Sequence, residues 1–298
     1  MIIKPNRKRF LLNDKKNSPL SASTFGACTR DLICVYFYKC KIPFRGAGKP
    51  MIYLILFLLY AVVLSVALWR NGVRSPSKIA VEKSAIQPQN ILIIGATGGT
   101  GRQLVAQALE RGFSVTVLVR NTAKMDIEHP QLKILQGNVL DSATVDAAVQ
   151  GQDAVVSALG HKQFFRPTRI LSEGTRTILQ AMEKHNVKRF VCETSLGIGS
   201  SAGRMGLYYT FFTIPVILPF YFWDKTRQEK LIAESAADWV IVRPGVLTNR
   251  KKRIKIRHGA DIGNFITTVN ISRADVAAFM LDQLTDDSNI GAAVGICW

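Results

Sequence analysis

Histidine, cysteine and carboxylates are scarce in this chain of 298 residues, and each shortage removes a class of function. The four histidines, His129, His161, His185 and His258, show neither a paired acid nor the spacing of metal ligands, and read as surface or loop residues. No metal site is expected. The five cysteines, Cys28, Cys34, Cys40, Cys192 and Cys297, are odd in number and form no disulfide or zinc framework, as suits a reducing compartment. Asp and Glu number 21 against 39 Lys and Arg, a net charge of +18. Residues 1–83 hold fifteen of those basic residues against Asp14, Asp31 and Glu82, a balance of +12 that leaves +6 for the remainder. A nucleic-acid-binding role is therefore not expected, because the part of the chain with a folding pattern is only mildly basic.

What is present begins with a basic leader. Residues 1–50 carry eleven basic and two acidic residues and no sustained periodicity, so no stable fold is expected there. They read equally as a cytoplasmic tail, an organelle-targeting leader or a stretch ahead of a true start at Met51. Residues 51–69 follow without a charge, long enough to cross a hydrocarbon core of ~30 Å and without the polar face of a soluble core helix. A single transmembrane helix in contact with lipid is expected. The rival, a cleaved secretory signal, calls for a shorter apolar core and a small-residue cleavage pair. Flanking charge orients the helix differently for the two starts: the full leader puts more Lys and Arg before it, whereas a start at Met51 leaves Arg70, Arg74, Lys78 and Lys83 after it. Residues 70–89, with Gly72, Pro76, Pro88 and several serines, read as a linker.

From Asn90 to Trp298 short apolar strands alternate with helical patterns in α/β style. Ile91 to Ile94 suit a strand buried on both faces, and Leu104, Val105, Ala108 and Leu109 form one stripe of the helix that follows. Between them Gly95, Gly98 and Gly101 allow a tight turn, close approach of backbone to a diphosphate, and close packing of helix on strand. Further strands are expected at Phe113–Val119, Leu132–Leu135, Ala154–Ser157, Phe190–Glu193, Trp239–Val242, Arg253–Arg257 and Ala292–Ile296. Helices are expected at Ser142–Val149, Thr168–Lys184 and Ser272–Leu284. The second strand ends on Arg120, where a dinucleotide fold faces the adenosine ribose. A guanidinium there suits a 2′-phosphate, as a carboxylate suits a free 2′-hydroxyl, so NADP(H) is favoured over NAD(H). Lys124, one turn on, reads either as a second phosphate cation or as a solvated loop lysine.

Gly95-Ala-Thr-Gly-Gly-Thr-Gly101, Gly137-Asn-Val-Leu-Asp141, Asp224-Lys225 with Gln228-Glu229, Val242-Arg-Pro-Gly245 and Ser272-Arg-Ala-Asp-Val-Ala277 together resemble the atypical short-chain dehydrogenase/reductase group, in particular its NmrA-like and biliverdin reductase B-like NAD(P)-binding members. The resemblance covers Asn90 to Trp298. It implies a doubly wound parallel sheet, the Rossmann fold, in order 3-2-1-4-5-6-7, with the cofactor across the carboxyl ends of the strands. By the same resemblance Thr97, Gly98, Gly99, Thr100 and Gly101 line the diphosphate, and Arg120 and Lys124 the 2′-phosphate. Asn138 and Val139 flank the adenine, and Ser157, Ala158 and Leu159 the nicotinamide-side ribose. Many members have Asp where this chain has Asn138, which keeps an acceptor.

Tyr221-Phe-Trp-Asp-Lys225 has the Tyr-x-x-x-Lys spacing of reductases in the broader superfamily, where the lysine ammonium lowers the tyrosine pKa for proton transfer and a serine, here Ser195 or Thr194, orients the carbonyl. Against that, Tyr221 lies in an aromatic run and the nearer relatives do not depend on it. Lys225 alone would then bond the nicotinamide ribose, with Glu229 as its partner one turn on. Residues 205–223 are uncharged, but Pro215, Pro219 and the position inside one domain favour an apolar lid leaning on the bilayer over a second span. Arg250 to Arg257 holds six basic residues in eight and reads as a solvated strand face or a contact for anionic headgroups. The expected protein is a single-pass membrane NAD(P)H-binding oxidoreductase, its domain cytoplasmic or stromal, reducing a hydrophobic carbonyl or ring substrate. A non-catalytic NADP(H) sensor or membrane assembly scaffold is the alternative. A sugar-nucleotide epimerase is disfavoured by Arg120, since it would use NAD.

Overall fold

The computed structural model describes residues 49–72, 87–253 and 255–298; the basic leader with Cys28, Cys34 and Cys40, most of the linker, and Ile254 lie outside the described residues. The chain divides into two compact units, Met1–Met51 and Ile52–Trp298, and the second holds the sheet. Strands β1 (Asn90–Ile94), β2 (Ser114–Val119), β3 (Leu132–Gln136), β4 (Ala154–Ser157), β5 (Arg189–Glu193), β6 (Asp238–Pro244) and β10 (Ala292–Cys297) run parallel in the order β3-β2-β1-β4-β5-β6-β10. This is the expected doubly wound sheet. One antiparallel strand, β8 (Arg257–Gly259), closes the β10 edge, and β7 (Val246–Thr248) pairs with β9 (Asn270–Ser272) beside it.

Alternation along β1 shows why the sheet is covered on both faces. Ile91 and Ile93 point to one face, under Leu104 and Val105 of a helix over Gly99–Glu110 and Val276 and Met280 of one over Arg273–Asp282. Leu92 and Ile94 point to the other, under Val145, Ile178 and Ile232 of helices over Ser142–Val149, Ile170–Lys184 and Pro219–Ala233. An apolar helix over Lys49–Asn71 precedes all of these, so in chain order the six are α1 (Lys49–Asn71), α2 (Gly99–Glu110), α3 (Ser142–Val149), α4 (Ile170–Lys184), α5 (Pro219–Ala233) and α6 (Arg273–Asp282).

The strand expected over Arg253–Arg257 is displaced: only Arg257 belongs to β8. The Arg253 N–H is taken by the Asp275 carboxylate (3.0 Å) and its guanidinium lies 4.1 Å from the centre of the Trp298 ring, so the backbone there is held as a loop and not laddered. Residues 205–223 form no second long helix. Tyr209–Ile217 is a wide π-helical stretch containing Pro215, which supplies no N–H and cannot close a regular α-turn, and Pro219 opens α5 at its first position.

Pro50–Asn71 is long and apolar enough to cross a membrane, and 11% of its apolar window is buried against the rest of the protein, too little for a core helix. Its second half nevertheless docks. Leu64 and Leu68 join Leu196, Ile198, Met205, Ile214 and Phe222 in one apolar cluster, and the Tyr60 hydroxyl donates to the Pro215 carbonyl at 3.2 Å. Burial of Leu68, 2% exposed, contributes about 1.5–3 kcal/mol to that contact.

An ion pair lies inside the fold. Arg243, at the end of β6 and 1% exposed, donates to both oxygens of the fully buried Glu229 on α5 (Nε–Oε1 2.9 Å, Nη2–Oε2 2.6 Å) and to the Ser200 hydroxyl at 2.9 Å. The Thr194 hydroxyl donates to the same carboxylate at 2.7 Å. Removing one partner strands a buried charge: Glu229→Leu should cost about 3–5 kcal/mol in denaturant unfolding, and Glu229→Leu with Arg243→Met should recover most of it. Equal losses in the single and double variants would contradict this.

Candidate functional site

The turn between β1 and α2 is built by backbone approach. Gly95 has φ of 85°, and a Cβ there would stand 2.4 Å from the Ala158 carbonyl oxygen, so β1 and the loop after β4 can close only over a glycine. A Cβ on Gly101 would stand 2.1 Å from the Gly95 carbonyl oxygen, which seats α2 on the turn. Gly98 and Gly99, by contrast, are exposed at the start of α2. Bare backbone at a helix N-terminus, open on one side, is a cradle that fits a diphosphate. Thr97 is half-buried beside it. Thr100 contributes only backbone to that cradle, because its hydroxyl turns inward and donates to the Glu193 carboxylate at 3.1 Å.

At the nucleotide end Arg120 is exposed directly after β2, and Lys124 is exposed on the next short turn, which Asn121 caps through the Ala123 N–H (3.0 Å). Arg102, which sequence reasoning passed over, pins this loop to α2: its guanidinium pairs with Asp126 and donates to the Lys124 carbonyl at 2.6 Å. Asn138 uses its side chain locally, accepting from the Leu140 N–H at 3.2 Å, while Val139 is buried against Gly174 and is largely core. Ser157 is fully buried at the end of β4, in register with Cys192, while Ala158 and Leu159 lie half-buried in the loop beyond.

At the other end α5 brings Tyr221 and Lys225 together. The Lys225 ammonium stands 5.3 Å from the Tyr221 ring centre and donates to the Glu193 carbonyl at 3.2 Å. Burial pushes this ammonium down, but Tyr221, Cys192, Glu193 and Glu229 around it outweigh that and hold its pKa above the ordinary lysine value. Burial likewise raises the Glu193 carboxyl, against the pull of Lys225, Thr100 and Arg273. The Tyr221 hydroxyl lies 3.6 Å from where a Cβ on Gly160 would stand, at the carboxyl end of β4. Of the two candidate hydroxyls after β5, Thr194 is committed to Glu229, while Ser195 is half-buried with only a long contact, 4.0 Å, to the Met205 sulfur.

Three neighbours of this group have partners of their own. Glu229 accepts hydrogen bonds from Arg243 and reaches Lys225 only through its charge. Asp224 caps α4, accepting from the N–H groups of Leu171 (2.9 Å) and Ser172 (3.2 Å) and from the Ser172 hydroxyl (2.5 Å). His161 is no plain loop residue: its ring packs edge-on against Tyr221 with centres 5.0 Å apart, and Phe164 adds a second edge contact at 5.7 Å. Burial holds the His161 pKa below the usual imidazole value, with Asp224 opposing and Lys225 assisting. Its Nδ1 accepts from the Gln163 N–H at 3.1 Å, so the ring proton sits on Nε2 and points to the Thr168 hydroxyl at 3.0 Å. His185, too, has an acid partner, Asp146 at 3.0 Å, away from this site. Cys192 is inert beside the site, its thiol pushed up to about 12 by burial.

A family model described as NAD(P)H-binding matches residues 95–287. The chain is 31% identical to an uncharacterized chloroplastic protein of Arabidopsis thaliana over 193 residues, 59% of this chain and 67% of that protein. It is 32% identical over 104 residues to the photosystem II assembly factor Ycf39 of a Synechocystis strain, 34% of this chain and 32% of that one, so it spans about a third of that relative's length. Among solved structures it is similar to a Rossmann-fold NAD(P)-binding family protein from Shigella flexneri, with a TM-score of 0.54 at 27% identity, covering 70% of this chain and 92% of that one.

The seating of α2 on the turn leads to a direct test. Gly101→Ala places a methyl group inside the Gly95 carbonyl, and should abolish measurable NADPH binding in a fluorescence titration and lower the melting temperature by several degrees. A variant that binds like wild type would show that the turn does not carry the cofactor.

Proposed function

The chain belongs to the NAD(P)H-binding family, and from that premise we propose that it is a membrane-anchored reductase that uses NADPH to reduce a hydrophobic carbonyl or ring compound. The observation that carries the reading is the face of α5 on which Tyr221 and Lys225 meet at the carboxyl end of β4, on the side of the sheet where the glycine turn opens. NADPH held on the glycine turn by Gly98 and Gly99 would supply the hydride for the substrate carbon. Tyr221 then gives its hydroxyl proton to the carbonyl oxygen, and Lys225, charged and buried, favours the tyrosinate left behind until solvent returns the proton. Ser195, whose half-buried hydroxyl makes only a 4.0 Å contact to the Met205 sulfur, orients that oxygen in this reading. His161, neutral with its proton directed at Thr168, acts with Phe164 as a wall that holds the Tyr221 ring and excludes water. Arg120, a cation where an NAD site would offer a carboxylate, supports the preference for the 2′-phosphate.

Membrane attachment is supported by α1 and by the apolar side chains around its dock. Leu207 and Tyr208 just before the π-helical segment, Val216 within it and Phe220 at the start of α5 are exposed, as are Phe265 and Ile266 on a loop that contacts this segment through Phe211. A lid of this composition beside a spanning helix suits a substrate delivered from the bilayer, with the domain on the NADPH-containing side, cytoplasmic or stromal. The alternative, a scaffold that binds NADP(H) without turnover, is favoured by one observation, the cluster that ties Leu68 of α1 to Phe222, next to Tyr221. Such a link suits a membrane assembly role, as the name of the Synechocystis relative illustrates.

The full chain in lipid nanodiscs, supplied with NADPH and a panel of quinones, flavins, aldehydes and enones, separates the two. Turnover on one of these that falls at least a hundredfold in Tyr221→Phe, with NADPH affinity unchanged, is the expected result. Tight NADPH binding without turnover on any compound would favour the scaffold.

A further inference from the structure

We propose that Arg273 is a diphosphate-binding residue, closing over the exposed start of α2. It is the first residue of α6, where Ser272 caps the helix through the Asp275 N–H at 3.0 Å. From there its side chain crosses the glycine turn: a Cβ on Gly99 would stand 2.6 Å from both Cδ and Nε of Arg273. Gly99 is thus glycine for two reasons, to bare the backbone N–H and to let this guanidinium lie across the turn. The guanidinium is held there by Asn249, which follows β7 and accepts from Nη1 at 2.6 Å.

Charge separates Arg273 from the other arginine at the turn. Arg102 is spent on Asp126 and on the Lys124 carbonyl, and faces the nucleotide loop. Arg273 hydrogen-bonds a neutral amide, which orients it without cancelling its charge. The carboxyl that feels it, Glu193, is buried behind Thr100 and held high by that burial. A helix N-terminus offers a diphosphate N–H groups and about half a unit of positive charge, while the ligand brings two negative charges. A guanidinium that spends one Nη1–H on Asn249 keeps further N–H donors for phosphate oxygens and supplies the difference. A strap serving only to join α2 to α6 would bond α2, whereas the described hydrogen bond of Arg273 goes to Asn249.

The test needs no substrate and stands whether or not the protein turns one over. The full chain in nanodiscs is titrated with NADPH and with adenosine 2′-monophosphate, which keeps the nucleotide end and lacks the diphosphate. Arg273→Gln should weaken NADPH roughly tenfold, the size of one charge-assisted hydrogen bond, and leave the monophosphate unchanged. Asn249→Ala should show the same pattern at smaller amplitude, while Arg120→Gln weakens both ligands. Unchanged NADPH affinity in Arg273→Gln and Asn249→Ala overturns the assignment, and so does an equal loss for both ligands, which would mark a structural role.

Discussion

A guanidinium and a carboxylate can be buried together only while each holds the other's charge and the leftover hydrogen bonds are met, and Arg243 and Glu229 meet that condition with help from Thr194 and Ser200. The pair joins the end of β6 to the middle of α5. On a helix of 3.6 residues per turn, Glu229 shares a face with Lys225 and Tyr221, four and eight residues earlier. Fixing Glu229 therefore sets the height and rotation of that whole stripe against the carboxyl ends of the strands. Asp224, buried against the first turn of α4, fixes the same helix from its other side. The placement of Tyr221 follows from charges it never touches.

The opposite end of the site rests on steric closeness. Gly95 and Gly101 exist to let backbone meet backbone, and once they do, Gly98 and Gly99 are left bare at the head of α2. Around that patch the cations are apportioned: Arg102 braces the nucleotide loop, Arg120 is exposed beside it, and Arg273 lies across the turn. The two ends communicate through Thr100, whose hydroxyl reaches the Glu193 carboxylate while Lys225 reaches the Glu193 carbonyl. A single residue at the end of β5 thus touches both the turn that fits the cofactor and the lysine beside Tyr221.

Helix α1 gives the lid a second neighbour. Pro50–Asn71 as a whole has the length and composition of a membrane span, while Leu64 and Leu68 within it pack with Phe222 and Ile214. Residues 207–217 are apolar on both sides, inward where Ile214 joins the cluster and outward where Leu207, Tyr208 and Val216 are exposed.

Local pattern carried the fold. Short apolar runs ending in glycine turns mark β1, β4 and their crossovers wherever hydrophobicity and turn chemistry agree, and the bounds of α3 and β4 were legible to the residue. Pattern failed where a distant partner takes the local hydrogen bond: Asp275 claims the Arg253 N–H, so Arg253 is held outside the sheet and the strand begins only at Arg257. The same holds in the site. Spacing alone puts Tyr221 and Lys225 on one face and bares Gly98 and Gly99, because both are properties of a few consecutive residues. That His161 walls Tyr221, that Ser157 is fully buried, that Glu229 is hydrogen-bonded by Arg243, and that Arg273 lies on Gly99 from 174 positions away were decided only by the tertiary structure, since burial and charge pairing depend on neighbours the chain brings from far apart in sequence.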